Sequence, residues 1–165
     1  MCKVIFDLDL TLVDSSIAEE ARQGRNWPLV YSLIPRFKLY DGMQAVFDYL
    51  RKSEIEAAIV STAPSTYVRK VVDYFSIPVQ IVIGYHDALR KPSPDGMIKA
   101  MNEMKAMPTD IISFGDRSID IIAAKAAGIK SVGCMWGTKE NSLLLASGPD
   151  MVLNSPGGII ELLRT

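Results

Sequence analysis

Two pairs of carboxylates stand out for where they fall. Asp7 and Asp9 follow the apolar run Lys3-Val4-Ile5-Phe6, and Asp116 and Asp120 follow Ile111-Ile112-Ser113-Phe114-Gly115. Both runs are rich in β-branched and aromatic residues, the composition of a buried strand. Asp7 and Asp9 lie two residues apart, so both can enter one cavity once the chain turns. One can then attack phosphorus while the other gives a proton to the leaving oxygen. Asp116 and Asp120 are about one helical turn apart, so both can face one cation. Ser61, with Thr62 beside it, ends the run Ala57-Ala58-Ile59-Val60 and leads into a helix start, where free amides suit an anion. Lys91, flanked by Pro92 and Pro94, offers a point charge for a phosphate or for the nucleophile's own carboxylate. Carboxylates alone repel phosphate; with a hard cation, which takes oxygen ligands from protein and substrate alike, they form a phosphoryl site.

Each motif also has an ordinary structural role. Asp7 and Asp9 can be turn formers, Ser61 and Asp116 can be helix caps, and Lys91 can be solvated surface. The conjunction carries the functional reading: four motifs in this order, each at or just beyond a strand exit.

The elements that must position these residues are legible as alternating strands and helices. Further apolar runs cover Val79 to Ile83, ending at Gly84, and Lys130 to Gly133. Helical stripes are predicted over Gly42 to Lys52, Pro64 to Phe75, Pro94 to Met107, Ser118 to Ala127 and about Gly157 to Leu163, with Gly128 as a C-cap. Nearly continuous apolar strands separated by helices predict a three-layer, doubly wound parallel sheet of the α/β class, whose ligands bind at the strands' carboxyl ends. Residues 1–165 read as one domain. Ser15 to Tyr40 breaks the rhythm as a short insert, with short helices around Ala18 to Arg25 and Pro28 to Leu33.

The bulk properties narrow the class. The formal net charge of -1 argues against a general nucleic-acid binder. Cys2 and Cys134 have no metal or redox spacing and read as free thiols of a reducing compartment. No secretory leader is visible and no apolar run reaches the roughly 20 residues of a membrane span, so a cytoplasmic protein without membrane contact is expected.

The four motifs, Asp7-Leu8-Asp9-Leu10-Thr11, Ser61, Lys91-Pro92 and Gly115-Asp116-Arg117-Ser118-Ile119-Asp120, together resemble the haloacid dehalogenase (HAD) superfamily in its magnesium phosphatase branch. The likeness extends through Lys125-Ala126-Ala127-Gly128-Ile129. It implies a HAD-like Rossmannoid fold with a small helical cap at residues 15–40, and an aspartyl-phosphate mechanism. Asp7 would be the nucleophile and Asp9 the general acid and then base. Thr11 would shape the turn. Ser61, Thr62 and Lys91 would bind phosphoryl oxygens, and Mg2+ would sit on Asp7, the Asp9 backbone carbonyl, Asp116 and Asp120, the last direct or through water.

Two residues depart from the family pattern. Leu10 stands where glycine is usual, which narrows the pocket, and Thr62 where asparagine is common. Asp9 itself argues against dehalogenation. The expected activity is phosphomonoester hydrolysis of a small phosphorylated metabolite. A nucleic-acid end phosphatase or protein phosphatase with an open site, and a non-catalytic phosphate-binding regulator, are the alternatives; closure of the short-capped site by another subunit is a further option. Arg22, Arg25, Arg36 and Lys38 read as a solvated face, Trp27, Tyr31 and Phe37 as packing, and His86 as a surface residue.

Overall fold

The computed structural model describes all residues 1–165. The first run forms β1 (Lys3–Phe6), with Val4 and Phe6 pointing to one side of the sheet and Ile5 to the other. That alternation of fully buried side chains requires cover on both faces. The chain then makes a tight turn into β2 (Val13–Asp14), which pairs antiparallel with β3 (Lys38–Leu39). Between them lie α1 (Glu19–Gln23) and α2 (Trp27–Leu33). Both short helices expected in the insert are present; the two-stranded ribbon that closes it has no signature in so short a sequence.

Next come α3 (Met43–Lys52), β4 (Ala57–Val60), α4 (Ser65–Phe75), β5 (Ile81–Ile83) and α5 (Asp95–Glu103). The chain continues through β6 (Ile111–Gly115), α6 (Ser118–Ala126), β7 (Lys130–Cys134), α7 (Asn141–Ala146), β8 (Met151–Leu153) and α8 (Gly157–Leu163). The sheet has six strands in the order β5-β4-β1-β6-β7-β8, and every pairing within it is parallel. Two sequence expectations need correction. A sixth strand, β8, follows what read as the last core strand, and it escaped notice because it is three residues long and only half-buried. The α5 helix stops at Glu103 rather than Met107, because Lys105 adopts a left-handed conformation (φ 50°) that ends it.

One face of the sheet carries the larger core. Phe47 and Leu50 of α3, Tyr67, Val68 and Val71 of α4, and Ile159 of α8 pack there on Phe6, Ile59 and Phe114. The other face is covered by α5 and α6 through Met97, Ala100, Ala123 and Ala124 on Ile5, Ala58 and Ile83. Val30, Ile34 and Phe37 of the insert belong to the larger core, so this segment is welded to the body rather than tethered to it. In contrast, α1 buries no residue.

The order of strands sets the site. The chain steps outward from β1 to β4 and β5, then crosses to β6 on the far side of β1 and steps outward again. This reversal opens a crevice above the carboxyl ends of β1, β4 and β6, where Asp7, Ser61 and Asp116 lie. Gly115 makes the last step possible. A methyl group there would fall on the Asp120 side chain, which α6 tucks against the end of β6. Gly115→Ala is therefore expected to cost about 1–3 kcal/mol in urea unfolding, the range for overpacking a well-packed site.

Candidate active site

Lys91 is the organising charge. It lies in the loop between β5 and α5, buried, and its Nζ donates to Asp7 Oδ1 at 3.0 Å, Asp120 Oδ1 at 2.5 Å and the Val60 carbonyl at 2.8 Å. One ammonium thus spends its three donors on three different elements. Burial alone pulls the lysine toward its neutral form, but Asp120 and Asp7 more than reverse that, and its pKa is raised.

Asp7, Asp116 and Asp120 converge so that one oxygen of each lies within 4.8 Å of the others. Burial, then repulsion from Asp7 and Asp120, pushes the Asp116 pKa up to about 9. Asp120 is raised as well, by burial first, with Lys91 opposing. Asp116 Oδ1 accepts the Thr11 hydroxyl at 2.9 Å, and the Thr11 carbonyl accepts the Trp136 indole N–H at 2.8 Å. Thr11 therefore does more than shape a turn: it ties the first acidic motif to the fourth. Asp120 accepts Lys91 Nζ at Oδ1 and the Arg117 amide N–H at Oδ2, the latter at 3.0 Å. Each carboxylate in the cluster is thus held by a partner from a connecting segment: Lys91 in the β5–α5 loop, Thr11 in the turn after β1, or the Arg117 amide just before α6.

Asp9 stands apart from this cluster. Its Oδ1 accepts the Tyr67 hydroxyl at 2.7 Å and the Ser15 hydroxyl at 2.5 Å, and its Oδ2 meets Arg22 Nη1 at 2.8 Å. The solvated-face reading of the insert's basic residues fails for Arg22, which is largely buried against Asp9. Sequence gave no local sign of that contact. Tyr67 carried a faint one, since a phenol on the apolar stripe of α4 needs a partner for its hydroxyl. Leu10, directly after Asp9, takes a left-handed conformation (φ 63°), which explains why glycine suits that position and why leucine there costs about 1 kcal/mol.

These residues share a cavity of about 620 Å³. Its walls include Asp7, Asp9, Leu10, Thr62, Lys91, Asp116 and Asp120 from the body, and Glu19, Arg22, Arg25 and Trp27 from the insert. His86, packed edge-on against Tyr85, also lines it. Ser61 is nearly buried just below, and its hydroxyl accepts the Ala63 amide at 3.0 Å in the turn that starts α4. Thr62, not Ser61, presents the side chain at the cavity wall. Trp27 and Tyr31 pack on each other and Trp27 on Tyr67, as the packing reading anticipated.

No helix is long and apolar enough to cross a membrane. Residues 31–134 match the family model described as haloacid dehalogenase-like hydrolase. The chain is 29% identical over 130 residues to a phosphoglycolate phosphatase of Vibrio vulnificus, covering 75% of this chain and 56% of that protein. It is 23% identical over 130 residues to a protein of Caldanaerobacter subterraneus provisionally named a pyrophosphatase, covering 77% and 59%. The chain thus spans little more than half the length of these relatives. A solved structure, a predicted phosphoglycolate phosphatase of Haemophilus somnus, superposes with a TM-score of 0.84 over 98% of this chain and 97% of the other, at 20% identity, and shares the fold. On the extent of the family match, over an architecture and acidic cluster of this kind, the chain belongs to the haloacid dehalogenase-like hydrolases.

Proposed function

We propose that this chain is a magnesium-dependent phosphomonoester hydrolase acting on a small phosphorylated metabolite through an aspartyl-phosphate intermediate. The observation that carries the reading is the placement of Asp7. It ends the central strand, shares Lys91 with Asp120, and opens onto a cavity that also holds Asp9. In the first half-reaction Asp7 attacks phosphorus, the bond to the ester oxygen breaks, and Asp9 supplies the proton that the leaving oxygen takes. In the second, water attacks phosphorus, Asp9 takes its proton, and Asp7 is released with inorganic phosphate. Phosphoryl transfer depends on positioning and charge neutralisation, which Lys91 and the Thr62 to Ser65 turn at the N-terminus of the 11-residue α4 would supply.

The acidic cluster fits a hard divalent cation. Three carboxylates packed this closely repel one another, which is what lifts Asp116, and oxygen-only donors suit magnesium. Asp7 and Asp116 each have an oxygen without a side-chain or backbone donor and would hold the ion directly, with the Asp9 carbonyl; Asp120, with both oxygens engaged, suits contact through water. When bound, the ion offsets charge on the phosphoryl group and on the carboxylates.

Residues 15–40 serve as the cap in this reading, within a single domain. Because Arg22, Arg25 and Trp27 wall the cavity, the site suits a small substrate better than a nucleic-acid end or a protein. The relatives named phosphoglycolate phosphatase make phosphorylated organic acids the first compounds to test. Two unpaired cysteines, one buried, accord with the reducing cytoplasm.

The reading is tested with p-nitrophenyl phosphate, with and without magnesium. Turnover is expected only with the ion, and Asp7→Asn is expected to lower it by about a thousandfold or more while leaving the melting temperature near that of the wild type. Substantial activity in a clean Asp7→Asn preparation rules out the assigned nucleophile.

Stability should also report the cluster. With Asp116 lifted to about 9 from 3.8, the folded chain retains a proton across that interval that the unfolded chain has lost. Stability then falls as pH rises through the window. Without metal, the melting temperature is expected to drop between about pH 5 and pH 9, and magnesium is expected to flatten that slope. A slope that magnesium leaves untouched would count against the cluster as its site.

A further inference from the structure

Three donors hold Asp9, and they come from three separate places. Ser15 lies at the start of the insert, Tyr67 on α4 of the body, and Arg22 on α1. Tyr67 is fully buried beneath Trp27, with ring centroids 5.7 Å apart, and its hydroxyl donates to Asp9 with the Ser15 hydroxyl alongside. Burial and the Asp9 charge push its pKa upward, so it remains a donor.

Arg22 is held differently. Its helix has no fully buried residue, only Ala21 packs from it against the core, and the ion pairs joining it to the body are Arg22–Asp9 and Glu19–Lys139. The guanidinium sits 5.9 Å from the centroid of the Tyr67 ring, and its Nε is shut from solvent without a partner. Leaving a donor unpaired in this way is unfavourable, so the contact that keeps Arg22 in place is the one to Asp9.

We propose that Tyr67 and Arg22 are positioning residues for Asp9. Tyr67 fixes one carboxylate oxygen from the rigid core. Arg22 fixes the other only while α1 is seated, which makes seating of that one helix a condition for proton delivery. The inference rests on the role of Asp9 proposed above. Held by these donors, the carboxylate is kept at one place on the cavity wall, and misplacement of about 1 Å at such a group can cost a hundredfold in rate.

The consequence depends on the leaving group. An alkoxide needs a proton as its bond to phosphorus breaks, whereas p-nitrophenolate departs without one. The test compares kcat/KM, which reports the first half-reaction, for a simple alkyl phosphate and for p-nitrophenyl phosphate. Wild type, Tyr67→Phe, Arg22→Gln, Arg22→Lys and Asp9→Asn are measured in the presence of magnesium. The alkyl-to-aryl ratio is expected to fall about tenfold or more in Tyr67→Phe and Arg22→Gln, in the direction of Asp9→Asn, and Arg22→Lys should recover part of the loss. A fall of equal size on both substrates is what lost packing would give; that, or an unmoved ratio in either variant, overturns the inference. A ratio unmoved by Asp9→Asn removes the acid role of Asp9 itself, and tells that failure apart from this one.

Discussion

The buried ammonium of Lys91 is the interaction on which the site depends. It reaches the central strand through Asp7, the neighbouring strand through the Val60 carbonyl, and α6 through Asp120. Without a cation there, carboxylates brought this close would force one another apart or hold protons. Breaking such a pair by deleting one partner typically costs about 3–5 kcal/mol, because the remaining charge stays buried. The lysine is therefore a structural member of the site, joining β1, β4 and α6.

Around that centre, the fold supplies precision through backbone more than through side chains. The parallel register places Phe6 beside Phe114 and Ile59, so the residues that follow each strand emerge level with one another. The Phe6 and Phe114 rings stack at 5.1 Å in the larger core, one and two residues before Asp7 and Asp116. Asp116 is itself buried, and beside Asp7 and Asp120 that burial is why it departs so far from an ordinary aspartate.

Much of this was legible in the sequence because strand exits and helix starts are local signals. Asp7, Lys91, Asp116 and Asp120 could be named from motif and spacing, and the structure gathers them around one cavity. The insert was legible as an interruption, including its two helices. Less visible were contacts made over long sequence separations. Nothing near Arg22 announces that it will meet Asp9, and nothing near Thr11 announces Asp116; both depend on how the insert and the sheet close up in space. The strand β8 was missed because a three-residue run carries too little periodicity to distinguish from a loop. Ser61 shows a further limit. A hydroxyl at a helix start has two local uses, and in this structure its oxygen accepts the Ala63 amide while Thr62 faces the cavity.

The way the insert is attached limits how the pocket can admit and release molecules. Val30, Ile34 and Phe37 are plugged into the same core as α4, and swinging the whole segment aside would expose them to water at roughly 1.5–3 kcal/mol each. The five residues of α1 carry a smaller penalty, with Ala21 alone packed from them against that core. Any opening at the entrance would therefore cost least at α1, where salt screens the more exposed Glu19–Lys139 pair more than the largely buried Arg22–Asp9 pair.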